Sequence, residues 1–160
     1  MAFGVVPVLR GAAPGAQEVR APGGTGNAAP QCAALGANGG DNFETVQGAT
    51  TFITSATLTT TGTGTEAVTQ CTVSGYVTPS DTFIVQLPIT GWNGMLEANG
   101  SHGLGGAYYL NECAPFLGKG YATVANSLGH VDPGLNGGFA DGDPQADVDF
   151  AYRATHVTTV

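Results

Sequence analysis

The chain has 160 residues, of which 42% are hydrophobic and only 10% are charged. This composition excludes a wholly disordered chain, because disorder goes with low hydrophobicity and high charge. The formal net charge is −8, and the four basic residues, Arg10, Arg20, Lys119 and Arg153, lie far apart in the sequence. Nucleic acids and anionic membrane surfaces are therefore excluded as partners, since both are bound by clustered Lys and Arg. No apolar run reaches the length of a membrane span.

The beginning of the chain is rich in Ala, Gly and Pro, which predicts a flexible lead-in over residues 1–30 and a folded part over 31–160. Polar and Gly-rich turns are expected up to about Gly48. The next segment, Thr50 to Gln70, is dominated by Thr, Ala and Gly. Because Thr favours strands and Gly does not, we expect a short strand near Phe52–Leu58 followed by an exposed loop.

Strand patterns are clearer in the middle of the chain. Apolar and small residues alternate with polar ones in Ala67–Val77 and again in Thr82–Leu87. The intervening Pro79-Ser80-Asp81 has the composition of a turn. These two runs therefore predict an antiparallel hairpin.

A third short strand is expected at Met95–Ala98, before a Gly-rich segment over residues 99–106. Gly106 to Leu117 has a helical pattern, which Pro115 weakens. Tyr121–Asn126 is a short apolar run of the kind that is buried in a mixed or parallel sheet.

The last predicted element is a helix that starts at Asp143. Asp is a favoured N-cap, and Pro144 suits the first helical position. Phe150, Ala154 and Val157 follow at spacings that place them on one core-facing side. This order of elements predicts an α/β fold that begins as an α/β-hydrolase does, with antiparallel first strands leading into a parallel sheet. The nucleophile elbow of that fold, Gly-x-Ser-x-Gly, does not occur in the sequence.

Read as a string, residues 32–160 resemble the tannase and feruloyl esterase family. The matching segments are Cys32-Ala33-Ala34-Leu35, Ile53-Thr54-Ser55-Ala56, Cys71-Thr72-Val73-Ser74-Gly75, Leu87-Pro88, Trp92-Asn93-Gly94, the stretch Gly100 to Gly106, Gly120-Tyr121-Ala122-Thr123, Gly129-His130 and Asp149-Phe150-Ala151-Tyr152-Arg153-Ala154-Thr155-His156. The resemblance implies an α/β-hydrolase with an inserted lid and a Ser-His-Asp triad. It matches only the amino-terminal part of such an enzyme, so the lid, the elbow and the triad have no counterpart here. In particular, His102, His130 and His156 are not assigned to the triad.

The resemblance carries one functional residue over to this chain. Aligned on Trp92-Asn93-Gly94, Gly100 falls on the loop glycine whose backbone N–H forms half of the oxyanion hole in the family. The alternative is a plain glycine turn after a strand. The family's Gly-Asn-Gly-Gly-Phe is replaced by Gly100-Ser101-His102-Gly103-Leu104, which differs in detail.

The cysteines alone fit either three buried thiols or one disulfide with a thiol left over. The resemblance pairs Cys32 with Cys71, which implies an oxidising compartment, secreted or periplasmic, and leaves Cys113 without a partner.

Other polar residues have simpler interpretations. His130 corresponds to the His of the family's Asp-x-Gly-His, with Ser127 in place of the Asp, and we expect a hydrogen-bonded loop histidine, with a supporting role near the site as the alternative. Arg153 and His156 are expected to hydrogen bond to neighbouring elements. Asp141, Asp143 and Asp147 predict a solvated acidic loop with a helix cap rather than a cation site. The His and Cys spacings do not match zinc sites, and no metal or cofactor is expected.

The resulting hypothesis is a serine esterase that acts on aromatic or plant-polymer esters, with the 160-residue chain inactive by itself. The alternative is a non-catalytic extracellular β-rich binding or structural module, which should lack the parallel strand at Tyr121–Asn126. Nucleotide binding through Gly100–Gly106 is disfavoured, because the spacing does not fit Gly-x-Gly-x-x-Gly and no Gly-Lys-Ser/Thr is present. The sequence leaves the oligomeric state open.

Overall fold

A computed structural model describes residues 28–37, 43–132, 134 and 136–160. The described helices and strands are α1 (Ala28–Ala37), β1 (Phe43–Glu44), β2 (Thr50–Thr61), β3 (Val68–Val77), β4 (Asp81–Pro88), β5 (Leu96–Asn99), α2 (Leu110–Leu117), β6 (Ala122–Asn126), α3 (Pro144–Val148) and α4 (Ala154–Thr159). The lead-in predicted over 1–30 lies outside the described residues, except for its last three, which begin α1. In the part of the chain that the structure describes, no helix has the length and apolar content needed to cross a membrane.

The strands form one mixed sheet in the order β1-β2-β3-β4-β6-β5. Neighbouring strands are antiparallel from β1 to β6, and the last pair, β6 and β5, is parallel. The predicted hairpin is confirmed in β3 and β4. α2 connects the two parallel strands and packs on β6, as the crossover between parallel strands requires. All five residues of β6 are buried, as its apolar sequence predicts. The chain therefore has an α/β fold.

The Thr-rich segment forms the predicted strand, which ends three residues later than expected, and the predicted exposed loop follows from Gly62. β2 continues to Thr61, and every residue from Ser55 to Thr61 pairs with β3. The Thr59 and Thr72 hydroxyls are 2.5 Å apart across the two strands. Pairing along a complete partner strand, together with the β-propensity of Thr, outweighs the flexibility expected from the glycines that follow.

The turns predicted from Cys32 to about Gly48 are wrong over residues 32–37, which belong to α1, whereas residues 45–48 do form bends and turns; residues 38–42 lie outside the described residues. The alanines of α1 favour a helix, and Pro30 lies in the first turn, where a missing N–H breaks no helical hydrogen bond. Cys32 of α1 is joined by a disulfide to Cys71 of β3. Gly36 lies so close to β2 that an added Cβ would be 2.8 Å from Ala56 N. The disulfide and the close contact with β2 together hold α1 on the sheet.

The final helical segment begins as predicted. The Asp143 side chain accepts hydrogen bonds from two backbone N–H groups of the first turn, at 3.0 and 3.2 Å, and Pro144 opens α3.

Between α3 and α4 the backbone forms a π-helical turn over Asp149–Arg153. Ala154 and Val157 are buried, as predicted, whereas Phe150 is only partly buried and packs on the Phe139 ring. The extra residue of a π turn changes which side chains share a face, so the predicted stripe does not begin at Phe150.

Candidate functional site

Two loops meet at the carboxyl end of the parallel strands. The Gly loop (residues 100–106) follows β5, and the β6 loop (residues 127–132) follows β6. Because β5 and β6 are paired in parallel, the two loops leave the same end of the sheet. In open α/β sheets this end is where ligands bind. The two loops together therefore form the candidate site.

Gly100 is the first residue of the Gly loop and is exposed. Among the described residues, a Cβ built on it would meet only Leu128 Cδ2, at 4.0 Å. The space around this stretch of backbone is open enough for a second molecule to approach. The structure thus places Gly100 at the end of a parallel strand, and its role as an N–H donor stays a prediction.

The Gly loop and the β6 loop contact each other through their backbones. Gly106 N–H donates to the Asp132 carbonyl oxygen at 2.5 Å. A Cβ on Gly106 would overlap the His130 carbonyl oxygen, and one on Gly105 would lie 3.2 Å from the Asp132 oxygen. These glycines are therefore required for close packing of the two loops, a reason independent of any ligand.

His130 is a hydrogen-bonded loop histidine, as predicted. Its Nε2 lies 3.1 Å from the Leu104 carbonyl oxygen and its Nδ1 lies 3.3 Å from that of Leu128. The ring stacks on Phe139, with 3.7 Å between the ring centroids. His130 thus connects the Gly loop to the β6 loop.

The other side of the Gly loop is fixed to α2. His102 Nε2 lies 2.5 Å from Glu112 Oε1, and the Asn99 amide donates to Glu112 Oε2 at 3.1 Å. The hydrogen bond from His102, followed by that from Asn99, lowers the pKa of Glu112. Among the described residues no Ser or Cys hydrogen bonds to His102, so its surroundings are those of a loop anchor.

Beneath the β6 loop lies a group of buried polar residues. Ser127 is fully buried and its hydroxyl accepts the Thr82 N–H at 3.1 Å, so it serves as a structural acceptor. Asp81 and Asp149 are also fully buried. Sequence reasoning missed both, because Asp81 was explained by a turn and Asp149 lay within the predicted final helix. The one available signal was Arg153, four residues after Asp149 in a helix.

The remaining predicted polar residues lie apart from the loops. Arg153 bonds to Asp149 and to the Thr78 carbonyl oxygen, as predicted. The prediction for His156 is wrong, because its side chain is exposed and makes no hydrogen bond within the described part of the chain. The three acidic residues predicted to be solvated, Asp141, Asp143 and Asp147, are exposed. Over residues 28–37, 43–132, 134 and 136–160, no group of three or more His, Cys, Asp or Glu could hold a metal ion.

A groove of about 640 Å³ lies elsewhere on the molecule, between the β2–β3 connection and α2. Its walls include Thr61, Thr65, Pro115 and Lys119, and none of its lining residues belongs to either loop. Its lining contains Glu66 and Lys119 as titratable residues, but no His, Cys or Ser. The loops at the carboxyl end of β5 and β6 remain the stronger candidate.

Comparison with known proteins adds information on the fold. No family model matches the sequence, and no curated protein matches it. An esterase from Aspergillus oryzae is similar in structure, with 22% identity and a TM-score of 0.63, over 81% of this chain and 27% of that chain. Feruloyl esterase B from Aspergillus oryzae is similar over 79% of this chain and 26% of that chain, with 26% identity and a TM-score of 0.62. The chain thus spans about a quarter of the length of these structures and has an α/β fold similar to that part of the two esterases.

Proposed function

We propose that the chain is part of a carboxylic ester hydrolase of the tannase and feruloyl esterase type, acting on phenolic-acid esters. The sequence resemblance and the similarity to feruloyl esterase B support this proposal. The observation that carries it is the position of Gly100, exposed at the carboxyl end of a parallel strand. The substrate is a small aromatic ester or a plant-polymer ester. The disulfide between Cys32 and Cys71 is compatible with an extracellular or periplasmic protein.

In such an enzyme a serine hydroxyl attacks the ester carbonyl, and the carbonyl oxygen becomes an oxyanion. The Gly100 N–H would donate a hydrogen bond to that oxyanion. Such a donor is effective when it is held in place before the reaction. The pairing of His102 with Glu112 and the close approach of Gly106 to the β6 loop supply that restraint on the Gly loop. The serine, histidine and aspartate of the triad would come from outside these 160 residues.

The alternative, a non-catalytic β-rich module, is disfavoured by the sheet. Such a module should lack a parallel strand at Tyr121–Asn126, whereas β6 pairs in parallel with β5 there. The strands form one mixed sheet with a parallel pair, which is an α/β arrangement rather than a sandwich of two sheets.

The first test uses the purified 160-residue chain with 4-nitrophenyl acetate and a fluorophosphonate serine probe. We expect no hydrolysis above the buffer rate and no labelled serine, because neither serine of the two loops hydrogen bonds to a histidine within the described residues. Ser127 is fully buried and accepts from the Thr82 N–H, and Ser101 accepts from the Ala107 N–H. Hydrolysis that the serine probe blocks would contradict the proposal that the nucleophile lies outside this chain.

The second test uses a polypeptide in which this chain is joined to the nucleophile-bearing part. Gly100→Pro removes the N–H, and Gly100→Ala keeps it in a position where a Cβ has room. We expect kcat to fall by about 10²–10³-fold for the Pro variant and to change little for the Ala variant. Thermal unfolding of both variants checks that the fold is kept. Equal kcat values in folded Pro and Ala variants would refute the role of the N–H.

A further inference from the structure

Two carboxyl side chains are buried against the same glycine of the β6 loop. Asp81 begins β4 and Asp149 begins the π turn, and both are 0% exposed. The Gly129 N–H donates to Asp81 Oδ1 at 3.2 Å. Gly129 also lies so close to Asp149 that an added Cβ would overlap its side chain. The glycine therefore brings the two carboxyl groups into one buried site.

The two carboxyl groups have unequal partners. Asp149 Oδ1 accepts from Arg153 Nη1 and from Gln145 Nε2, both at 2.9 Å. Within the described part of the chain, Asp81 Oδ1 accepts only from the neutral Gly129 N–H. In each carboxyl group the second oxygen, Oδ2, is buried and has no hydrogen-bond partner among the described residues. A single guanidinium cannot neutralise two buried carboxylates, and an unpaired buried charge is strongly unfavourable.

We propose that Asp81 and Asp149 form a proton-holding pair, in which Asp149 carries the negative charge beside Arg153 and Asp81 keeps a proton on Oδ2. Loss of that proton to solvent leaves two anions in a buried site and loosens the junction between β4 and the β6 loop. Burial is the main cause that raises the pKa of Asp81 to about 7, and the negative charge of Asp149 raises the pKa further. The hydrogen bond from Gly129 and the positive charge of Arg153 act in the opposite direction and lower the pKa. Asp149 and Arg153 are the charged groups that act on Asp81 from the packed helical segment. The proposal does not depend on the ester hydrolase function.

This junction supports the Gly loop. Leu128 has a φ of 53°, in the left-handed region that a branched side chain rarely adopts. Its Cδ2 is the atom that a Cβ on Gly100 would meet. The turn that contains Leu128 is held against β4 by hydrogen bonds from Ser80 Oγ to Gly129 O, from Ser127 N to Thr82 O and from Thr82 N to Ser127 Oγ. Loosening the junction would let Leu128 relax and the β6 loop shift, and the β6 loop is bonded to the Gly loop through the Gly106 N–H and the His130 ring.

The sign of the pH dependence follows from the direction of the shift. The folded protein keeps the Asp81 proton up to a pH of about 7, whereas the unfolded chain releases it near 3.8. Between these values the folded state binds one proton more, so stability falls as the pH rises. The contribution of Asp81 to the folding equilibrium constant should fall about tenfold per pH unit in this window and level off above it.

The first test is denaturant unfolding of the 160-residue chain from about pH 4 to about pH 9. Asp81→Asn keeps an acceptor for Gly129 but has no proton to lose, and Asp147→Asn is a matched control at an exposed acidic position. The ratio of the folding constants of wild type and Asp81→Asn should fall about tenfold per pH unit up to about pH 7, whereas Asp147→Asn should parallel wild type. Groups that wild type and the variant share contribute equally to both, so their effect cancels in the ratio. Parallel profiles for wild type and Asp81→Asn would overturn the proposal.

The second test needs only folded protein that carries Asp81. Carboxyl ¹³C NMR should show Asp81 titrating near neutral pH in wild type and at lower pH in Asp149→Asn, because the like charge is removed and Arg153 is freed. The amide signals of Leu128 and Gly100 should move with the same midpoint. An unchanged Asp81 midpoint in Asp149→Asn refutes the pair, and fixed amide signals refute the link to the Gly loop. Stabilisation of the protein by Ca²⁺ that depends on Asp81 would also refute the proton-holding pair, because Asp81 and Asp149 would then both be ionised around a cation.

Discussion

Removing the disulfide between Cys32 and Cys71 should destabilise the protein strongly. The bond joins α1 to β3 across a separation of 39 residues. Both cysteines are buried next to Val73, with Ile53 and Ala56 packed against them. α1 also packs directly on β2, where an added Cβ on Gly36 would be 2.8 Å from Ala56 N, so the bond reinforces an existing contact.

The expected magnitude follows from the length of the closed loop. For 39 residues the loss of chain entropy in the unfolded state is about 13 cal/mol/K, which is about 4 kcal/mol at 25 °C. This figure is a large part of the stability of a typical domain. Because the gain arises in the unfolded chain, it should appear even if the native packing around Val73 is kept.

The assay is guanidinium unfolding of three samples: oxidised wild type, wild type with reductant, and the Cys32→Ala/Cys71→Ala variant. The reduced protein and the variant should both lose about 4 kcal/mol in free energy of unfolding, with the variant slightly lower because buried sulfur contacts are lost. Comparing them separates the cross-link from the packing of the side chains. A loss below a quarter of this figure in the reduced protein would refute the reasoning.

Two further predictions concern the packing. Gly106→Ala should lower the free energy of unfolding by about 1–3 kcal/mol, because its Cβ would overlap the His130 carbonyl oxygen. Gly118→Ala is the control and should be nearly neutral. Gly118 has helical backbone angles, and its Cβ would lie 3.7 Å from the Pro115 carbonyl oxygen. Equal losses in chemical denaturation would contradict the close approach of the two loops. Cys113 should react with Ellman's reagent only as fast as the protein opens, because the side chain is fully buried and burial raises the pKa of its thiol. Labelling of the folded protein at the rate seen in guanidinium would contradict that placement.

Where an element is buried on one or both faces, its sequence was enough to predict it. β3 shows alternation along a half-buried strand, and β6 shows an apolar run buried on both sides. The start of α3 was predictable because the Asp143 cap and Pro144 act on adjacent backbone. Strand alternation, an apolar run and a helix cap each depend on residues close together in the chain, so the sequence pattern is enough to predict them.

The elements that were missed depend on distant residues. The end of β2 is held by its pairing with β3, and α1 is held by a disulfide to the same strand. A Thr-rich or Ala-rich segment gives no sign of such partners. The buried acid pair was missed for the same reason: Asp81 and Asp149 each fit an ordinary local role, and only the placement of β4 beside β6 buries both against Gly129.

The composition makes this buried pair more informative than it would be in an ordinary protein. With four basic residues in 160, the chain has few opportunities to compensate a buried carboxylate, yet it uses Arg153 for that purpose. Replacing such a group by an apolar residue often costs nothing in stability, so a buried charge is better explained by the geometry it specifies than by the energy it adds. Here that geometry is the turn at Leu128, which lies behind Gly100. The support of the candidate site therefore includes β4 and the last helical segment as well as the Gly loop.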